Sequence, residues 1–169
     1  TAVSSVTKDQ LVNRPSGNLV DAIAKVPGVS QVTTGGGISK PVIRGMSYNR
    51  VVTLVAGAKQ EGQQWGDEHG IEVDQYSAER VEVLRGAASL LYGSDALGGV
   101  INILEPLPSP EGQIRGELLT SYQFNNGLSG SSAMLKGNHN GFVWRARGSY
   151  KNAYSYNAPG GRIANTGYN

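Results

Sequence analysis

The chain has 169 residues, a hydrophobic content of 38%, a formal net charge of +2 and no cysteine. Charge so near balance, with no dense run of Lys or Arg, argues against nucleic acid as a partner, and the missing thiols exclude a disulfide framework, a thiol nucleophile and a cysteine zinc site. No apolar run approaches the roughly 18 residues of a membrane helix, which leaves open a crossing by strands, whose signal is alternation.

Residues 1–105 read as a mixed α/β unit, with glycines scattered to serve turns and close approaches rather than a periodic fibre. Asn18 caps a short helix through Val26 that presents Leu19, Ile23 and Val26 on one face, and Pro27-Gly28 ends it. Gly35-Gly36-Gly37 marks a loop without the strand and Lys-Ser/Thr context of a phosphate cradle. Pro41–Arg44 starts a strand, Arg50–Val55 is a β-branched strand, and Ala56-Gly57-Ala58 breaks it. A polar stretch runs from Lys59 to about Tyr76. Arg80–Leu84 and Val100–Leu104 are strands on either side of a short helical segment, Ala87–Leu91. Gly98-Gly99, just before a strand, reads as close packing rather than binding.

Residues 106–111 carry three prolines in five positions and form a stiff linker. From 112 to 169 the pattern becomes one of alternating strands. Ile114, Gly116, Leu118, Thr120, Tyr122 and Phe124 share one face, and Phe142, Trp144, Ala146, Gly148 and Tyr150 do the same in a later strand. A weaker strand spans Ser129–Gly137, with turns at Asn125-Asn126-Gly127 and Asn138–Gly141. Strands of about ten residues suit a tilted membrane strand, but a half-exposed soluble sheet alternates in the same way. Three strands cannot close a barrel, and an open edge in lipid is costly. The strands therefore either belong to a soluble sheet or continue beyond residue 169.

Three segments carry a family resemblance. Ala22–Val29 (AIAKVPGV), Pro41–Gly45 (PVIRG), and Ala78–Gly86 (AERVEVLRG) followed by Ser89–Ile103 (SLLYGSDALGGVINI) resemble, in order and spacing, the plug domain of TonB-dependent outer-membrane receptors. Ala87 stands where that family often has proline, and Ala56 where an Asp or Asn often precedes the turn glycine. The resemblance implies an α+β plug over 1–105, the linker, and the first three or so strands of a transmembrane β-barrel of about 22 strands over 112–169. The rest of the barrel and the N-terminal TonB box would lie outside this chain. The linker would be periplasmic, Asn125–Leu128 an extracellular turn, and the whole an outer-membrane protein of a Gram-negative bacterium.

The resemblance further implies energised uptake of a scarce nutrient, gated by the plug, and not an enzyme. The partners would be the TonB-ExbB-ExbD inner-membrane complex, outer-membrane lipid and the remaining barrel. A receptor that binds without transport, or uptake of glycan, peptide or cobalamin, stands as the alternative. No cofactor is required, and a metal or metal chelate (siderophore, haem or zinc) is the implied cargo. Five of the thirteen acidic residues, Glu61, Asp67, Glu68, Glu72 and Asp74, fall in one apical loop with His69. Asp67, Glu68 and His69 are candidate metal ligands by donor type, although consecutive positions are no ligand signature and a solvated acidic loop reads the same. Arg44, Gln60, Glu61, Gln64, Trp65, Asp67, His69 and Tyr76 are candidate ligand contacts. Of these, Trp65 and Tyr76 would stack on a flat ligand or simply pack. Arg44 and Arg85, each before a glycine, are candidates for a buried ionic lock to barrel carboxylates or for a salt bridge within the plug. No arrangement of Ser, His and Asp supports catalysis, so no catalytic residue is assigned.

Overall fold

The computed structural model describes residues 2–13, 16–35, 37–61, 70–71, 73–163 and 167. The chain divides into two compact units, Thr1–Glu105 and Pro106–Asn169.

The first unit is built on a five-stranded sheet. Its strands are β1 (Ala2–Thr7), β4 (Val51–Val55), β5 (Ala58–Gln60), β6 (Arg80–Arg85) and β7 (Gly99–Leu104), in the order β1-β6-β7-β4-β5. Only β4 and β7 run parallel, with Val51 opposite Gly99 and Val55 opposite Ile103. These central strands are covered on both faces, which is why they read as unbroken apolar runs. On one face Val51, Ile101 and Ile103 join Val6, Val81, Val83, Leu11, Leu19, Ile23 and Ile43. On the other, Val52, Leu54 and Val100 pack with Ala96. A separate hairpin pairs β2 (Val29–Gly35) with β3 (Ile38–Ile43).

The first-unit helices are short. α2 (Leu19–Ile23) is capped by Asn18, whose side chain accepts from Asp21 N at 3.0 Å. It stops before Val26 because a residue preceding proline avoids the helical region, and Val26 N closes a turn onto Ile23 O instead. Sequence periodicity missed α1 (Lys8–Asn13), which buries only Leu11, and the edge strand β1. It also missed β2, and β5 runs from the Ala58 break into the start of the polar stretch. All three residues of β5 are exposed, so no hydrophobic pattern could mark them. The helical segment Ala87–Tyr92 is 3-10 rather than α. Ser89 ties it down by donating to Gly86 O at 2.8 Å and Ala96 O at 2.6 Å.

The second unit is an antiparallel sheet of β8 (Ile114–Gln123), β9 (Leu128–His139) and β10 (Phe142–Asn152), with β9 central. Asn140 (φ 50) and Gly141 (φ 77) form a two-residue turn between β9 and β10, the left-handed pair that Asn-Gly adopts readily. Register assigns the faces. Ile114, Leu118, Tyr122, Leu135, Ala146 and Tyr150 lie on one face and leave much of their apolar surface exposed in this chain. Arg115, Glu117, Lys136, Arg145 and Arg147 lie on the other. There Arg147 Nη2 meets Glu117 Oε1 at 2.9 Å and Nη1 donates to Ser132 Oγ at 2.8 Å. Beyond β10, two short strands, β11 (Asn157–Ala158) and β12 (Gly161–Arg162), pair with each other.

Candidate functional site

Sheet topology gathers several of the candidate residues at one end of the first unit. β4 begins at Val51 beside Gly99, the first residue of β7. β6 runs the opposite way and ends at Arg85, next to Ala2 of β1. β5 turns back along β4, so Gln60 lies level with Thr53 and Glu61 leaves toward the same end. The segment 44–50 joins β3 to β4 there. Arg44, Gln60, Glu61 and Arg85, up to 41 residues apart in sequence (85 − 44), therefore share one rim of the sheet.

Arg44 and Gly45 form a tight turn in which both residues are left-handed, φ 54 and φ 76. Ile43 N donates to Met46 O at 2.8 Å and Met46 N to Ile43 O at 2.9 Å. The turn leaves the Arg44 side chain exposed, and among the described residues it has no ion-pair partner. Its guanidinium comes to 4.0 Å from where a Cβ on Gly86 would stand.

Arg85 is anchored. Its guanidinium donates to Pro27 O and to Ser4 Oγ, both neutral acceptors. Its Nε is buried with no partner among the described residues. Burial with one donor unmatched makes it the more demanding of the two cations to satisfy. Within the described residues neither arginine makes the internal salt bridge that was one reading of them.

Tyr76 requires a correction. It is 1% exposed and follows Asp74, whose carboxylate accepts from Tyr76 N at 3.1 Å. The ring fills the interior and presents no face to a ligand, so the packing reading is the one the structure supports. It also precedes Arg80, at the end of β6 away from Arg85. Gln64, Trp65, Asp67, Glu68 and His69 lie outside the described residues. Among the described residues, no three His, Asp or Glu side chains converge to hold a metal.

Tyr48, missed in sequence, stands on this rim. It adopts φ 56, a left-handed conformation costly for a bulky side chain, and is 37% exposed. Lys40, 3% exposed, places Nζ 4.2 Å from the centre of its ring. Such a contact attracts the ammonium to the face of the ring. The only sequence signal was an aromatic three residues past the Arg44-Gly45 pair. Lys59, on β5, meets Asp95 at 2.7 Å. That hydrogen bond holds the Asp95 carboxyl below the usual carboxylate range and raises Lys59. Gly98 has no room for a side chain: a Cβ would sit 2.9 Å from both Arg50 O and Met46 Cβ. Close packing thus accounts for this glycine.

Residues 1–100 match the family model described as the TonB-dependent Receptor Plug Domain. An iron-regulated outer membrane virulence protein of Vibrio cholerae is 41% identical over 110 residues, 61% of this chain and 17% of that protein. The vitamin B12 transporter BtuB of Photobacterium profundum is 30% identical over 103 residues, 60% of this chain and 17% of the transporter. The crystal structure of the siderophore receptor PirA from Pseudomonas aeruginosa superposes with a TM-score of 0.68 at 28% identity, over 89% of this chain and 28% of the receptor. This chain thus spans less than a third of the length of each relative.

Proposed function

This chain belongs to the TonB-dependent receptor plug family, and on that premise we propose that it is the gate and first wall strands of an energy-coupled importer whose cargo is a metal chelate. It is part of an outer-membrane protein of the Gram-negative type, and the family consists of receptors and transporters. The observation that carries the reading is the rim of the sheet shared by Arg44, Tyr48, Gln60 and Glu61. An aromatic and an exposed guanidinium on one rim suit a flat, anionic or polarisable ligand better than a bare cation. The similarity to an iron-regulated relative favours iron as the metal. Gln64, Trp65, Asp67, Glu68 and His69, which follow Glu61 in the sequence, would complete the site, and direct ligation by Asp67, Glu68 and His69 is the narrower version of the reading. Arg44, exposed and without an ion-pair partner among the described residues, is the better placed of the two arginines for a lock to a carboxylate of the remaining barrel, since Arg85 already donates to Pro27 O and Ser4 Oγ. The inner-membrane TonB-ExbB-ExbD complex would supply the energy.

Calorimetric titration of the intact, detergent-solubilised receptor with zinc, haemin and a panel of ferric siderophores tests this. The expected result is saturable binding of one chelate, weakened at least tenfold by Arg44→Ala or Tyr48→Ala. Binding of zinc alone, lost when Asp67, Glu68 and His69 become Ala, would overturn the chelate in favour of the bare ion. Binding of cobalamin and none of the panel would favour the second reading, which the likeness to BtuB supports.

A further inference from the structure

The chain holds two Asn-Gly pairs, Asn126-Gly127 and Asn140-Gly141. In sequence they are alike, since a glycine after asparagine has no side chain to keep its peptide nitrogen from the asparagine Cγ. The structure separates them. Asn126 is 3% exposed, and its Oδ1 accepts from Leu128 N at 3.2 Å. Its backbone carbonyl accepts from Tyr154 N at 2.9 Å. The Tyr154 ring covers the neighbouring glycine: a Cβ on Gly127 would stand 2.9 Å from Tyr154 Cδ2.

Asn140 and Gly141 are both exposed, at the tip of the turn between β9 and β10. A Cβ on Gly141 would meet nothing within 4 Å. Among the described residues the Asn140 carboxamide hydrogen-bonds only with its neighbour, Nδ2 standing 3.3 Å from His139 Nε2. Its backbone N donates to Glu111 Oε1 at 2.6 Å. The carboxamide and the following nitrogen are therefore open to water and to each other.

We propose that Asn140 is a site of spontaneous deamidation and that Asn126 is protected from it. The nitrogen of Gly141 attacks Asn140 Cγ. A C–N bond forms, the bond from Cγ to Nδ2 breaks, and Nδ2 leaves as ammonia with the proton of the Gly141 amide. Water then opens the cyclic imide at either carbonyl. Opening at Cγ leaves aspartate. Opening at the backbone carbonyl leaves isoaspartate, in which the main chain runs through the former side chain and gains one carbon. One water enters and one ammonia leaves, with no oxidant or reductant. Ring closure requires the asparagine backbone to rotate. The open turn allows this at Asn140, which must leave its left-handed conformation of φ 50. At Asn126 the same rotation breaks the bonds to Leu128 and Tyr154. Either product sets a carboxylate near that of Glu111, and isoaspartate lengthens the two-residue turn that fixes the His139–Phe142 pairing.

Ageing the intact, detergent-solubilised receptor at mildly alkaline pH, with peptide masses and isoaspartyl methylation followed over time, tests this. Asn140 is expected to convert at least tenfold faster than Asn126 in the folded receptor, and the two at rates within about threefold of each other after unfolding in urea. Tyr154→Ala, which uncovers Gly127, should speed conversion at Asn126 and leave Asn140 unchanged. Conversion of Asn126 as fast as Asn140 in the folded receptor would overturn the proposal. So would an Asn140 that stays intact while the unfolded chain converts. An Asn126 rate unmoved by Tyr154→Ala would overturn the protection assigned to that ring. In the aged fraction carrying isoaspartate, the amides flanking the turn should exchange at least threefold faster, and unchanged exchange would overturn the effect on the pairing. None of these outcomes depends on what the receptor imports.

Discussion

The guanidinium of Arg85 lies across Gly28: a Cβ at Gly28 would stand 2.8 Å from Arg85 Nη1. The arginine reaches this position because it donates to the carbonyl of the preceding Pro27 and to Ser4, bridging the turn that follows α2 to strand β1. Gly28 is therefore required for its backbone, with φ +79, and a Cβ there would also press on the end of the Arg85 side chain.

Gly28→Ala is accordingly expected to destabilise the plug by about 1–2 kcal/mol, chiefly from left-handed backbone strain. Thermal unfolding of the intact receptor followed by exchange at the plug amides would measure it. Adding Arg85→Ala should recover the steric share and leave the backbone share. Equal stability of Gly28→Ala and wild type would contradict the arrangement.

Ala56 and Gly57 form the turn between β4 and β5 with φ 49 and φ 83. Alanine gains nothing from the left-handed region, whereas Asn tolerates it. Ala56→Asn should stabilise this hairpin by about 0.5–1 kcal/mol, read as slower exchange at the amides of β5. A destabilised hairpin would mean that the turn is of another type.

Gly98 shows a different constraint, since its backbone is ordinary and only space is short. Gly98→Ala should cost about 1–3 kcal/mol by pressing on Arg50 O and Met46. Because segment 46–50 carries Tyr48, the same substitution should weaken ligand binding in the calorimetric assay. Gly45→Ala, with open space around its Cβ, should show backbone strain without that steric pressure.

The Lys59–Asp95 pair predicts a titration. Its hydrogen bond lowers Asp95 below its ordinary value of 3.8, so the stability it confers is present above that pH and is lost as pH falls through the lower, folded value. Lys59 is raised above 10.5, so its share is present below that pH and is lost as pH rises through the higher, folded value. Carboxyl carbon chemical shifts should place the Asp95 midpoint below 3.8, and Lys59→Met should move it back up. A midpoint unmoved by that substitution would remove Lys59 as the cause. Both groups are partly exposed, so added salt should shrink the shift.

Much of this protein is legible without coordinates because the signals are local. Alternation along Ile114–Gln123 and Phe142–Asn152, the Asn140-Gly141 turn, the Asn18 cap and the three family segments each depend on neighbours a few residues away. Those segments were enough to identify the family, and hence the fold class and the outer-membrane location. Elements that bury little, such as α1, β1 and β5, left no pattern to read. Tertiary structure alone decided side-chain partners and exposure. Tyr76 looked like a ligand aromatic because it follows a polar stretch, yet it is in the interior. Arg85 sits in a recognisable motif, but its bonds reach Pro27 and Ser4, 58 and 81 residues away. The proline linker reads as a stiff spacer, and only the structure shows Lys136 and Asn138, 29 residues downstream of their acceptors, bonded to it. Local sequence specifies period, turn and cap through short-range sterics and hydrogen bonds. Which donor finds which acceptor across the sheets is settled only when the chain closes on itself.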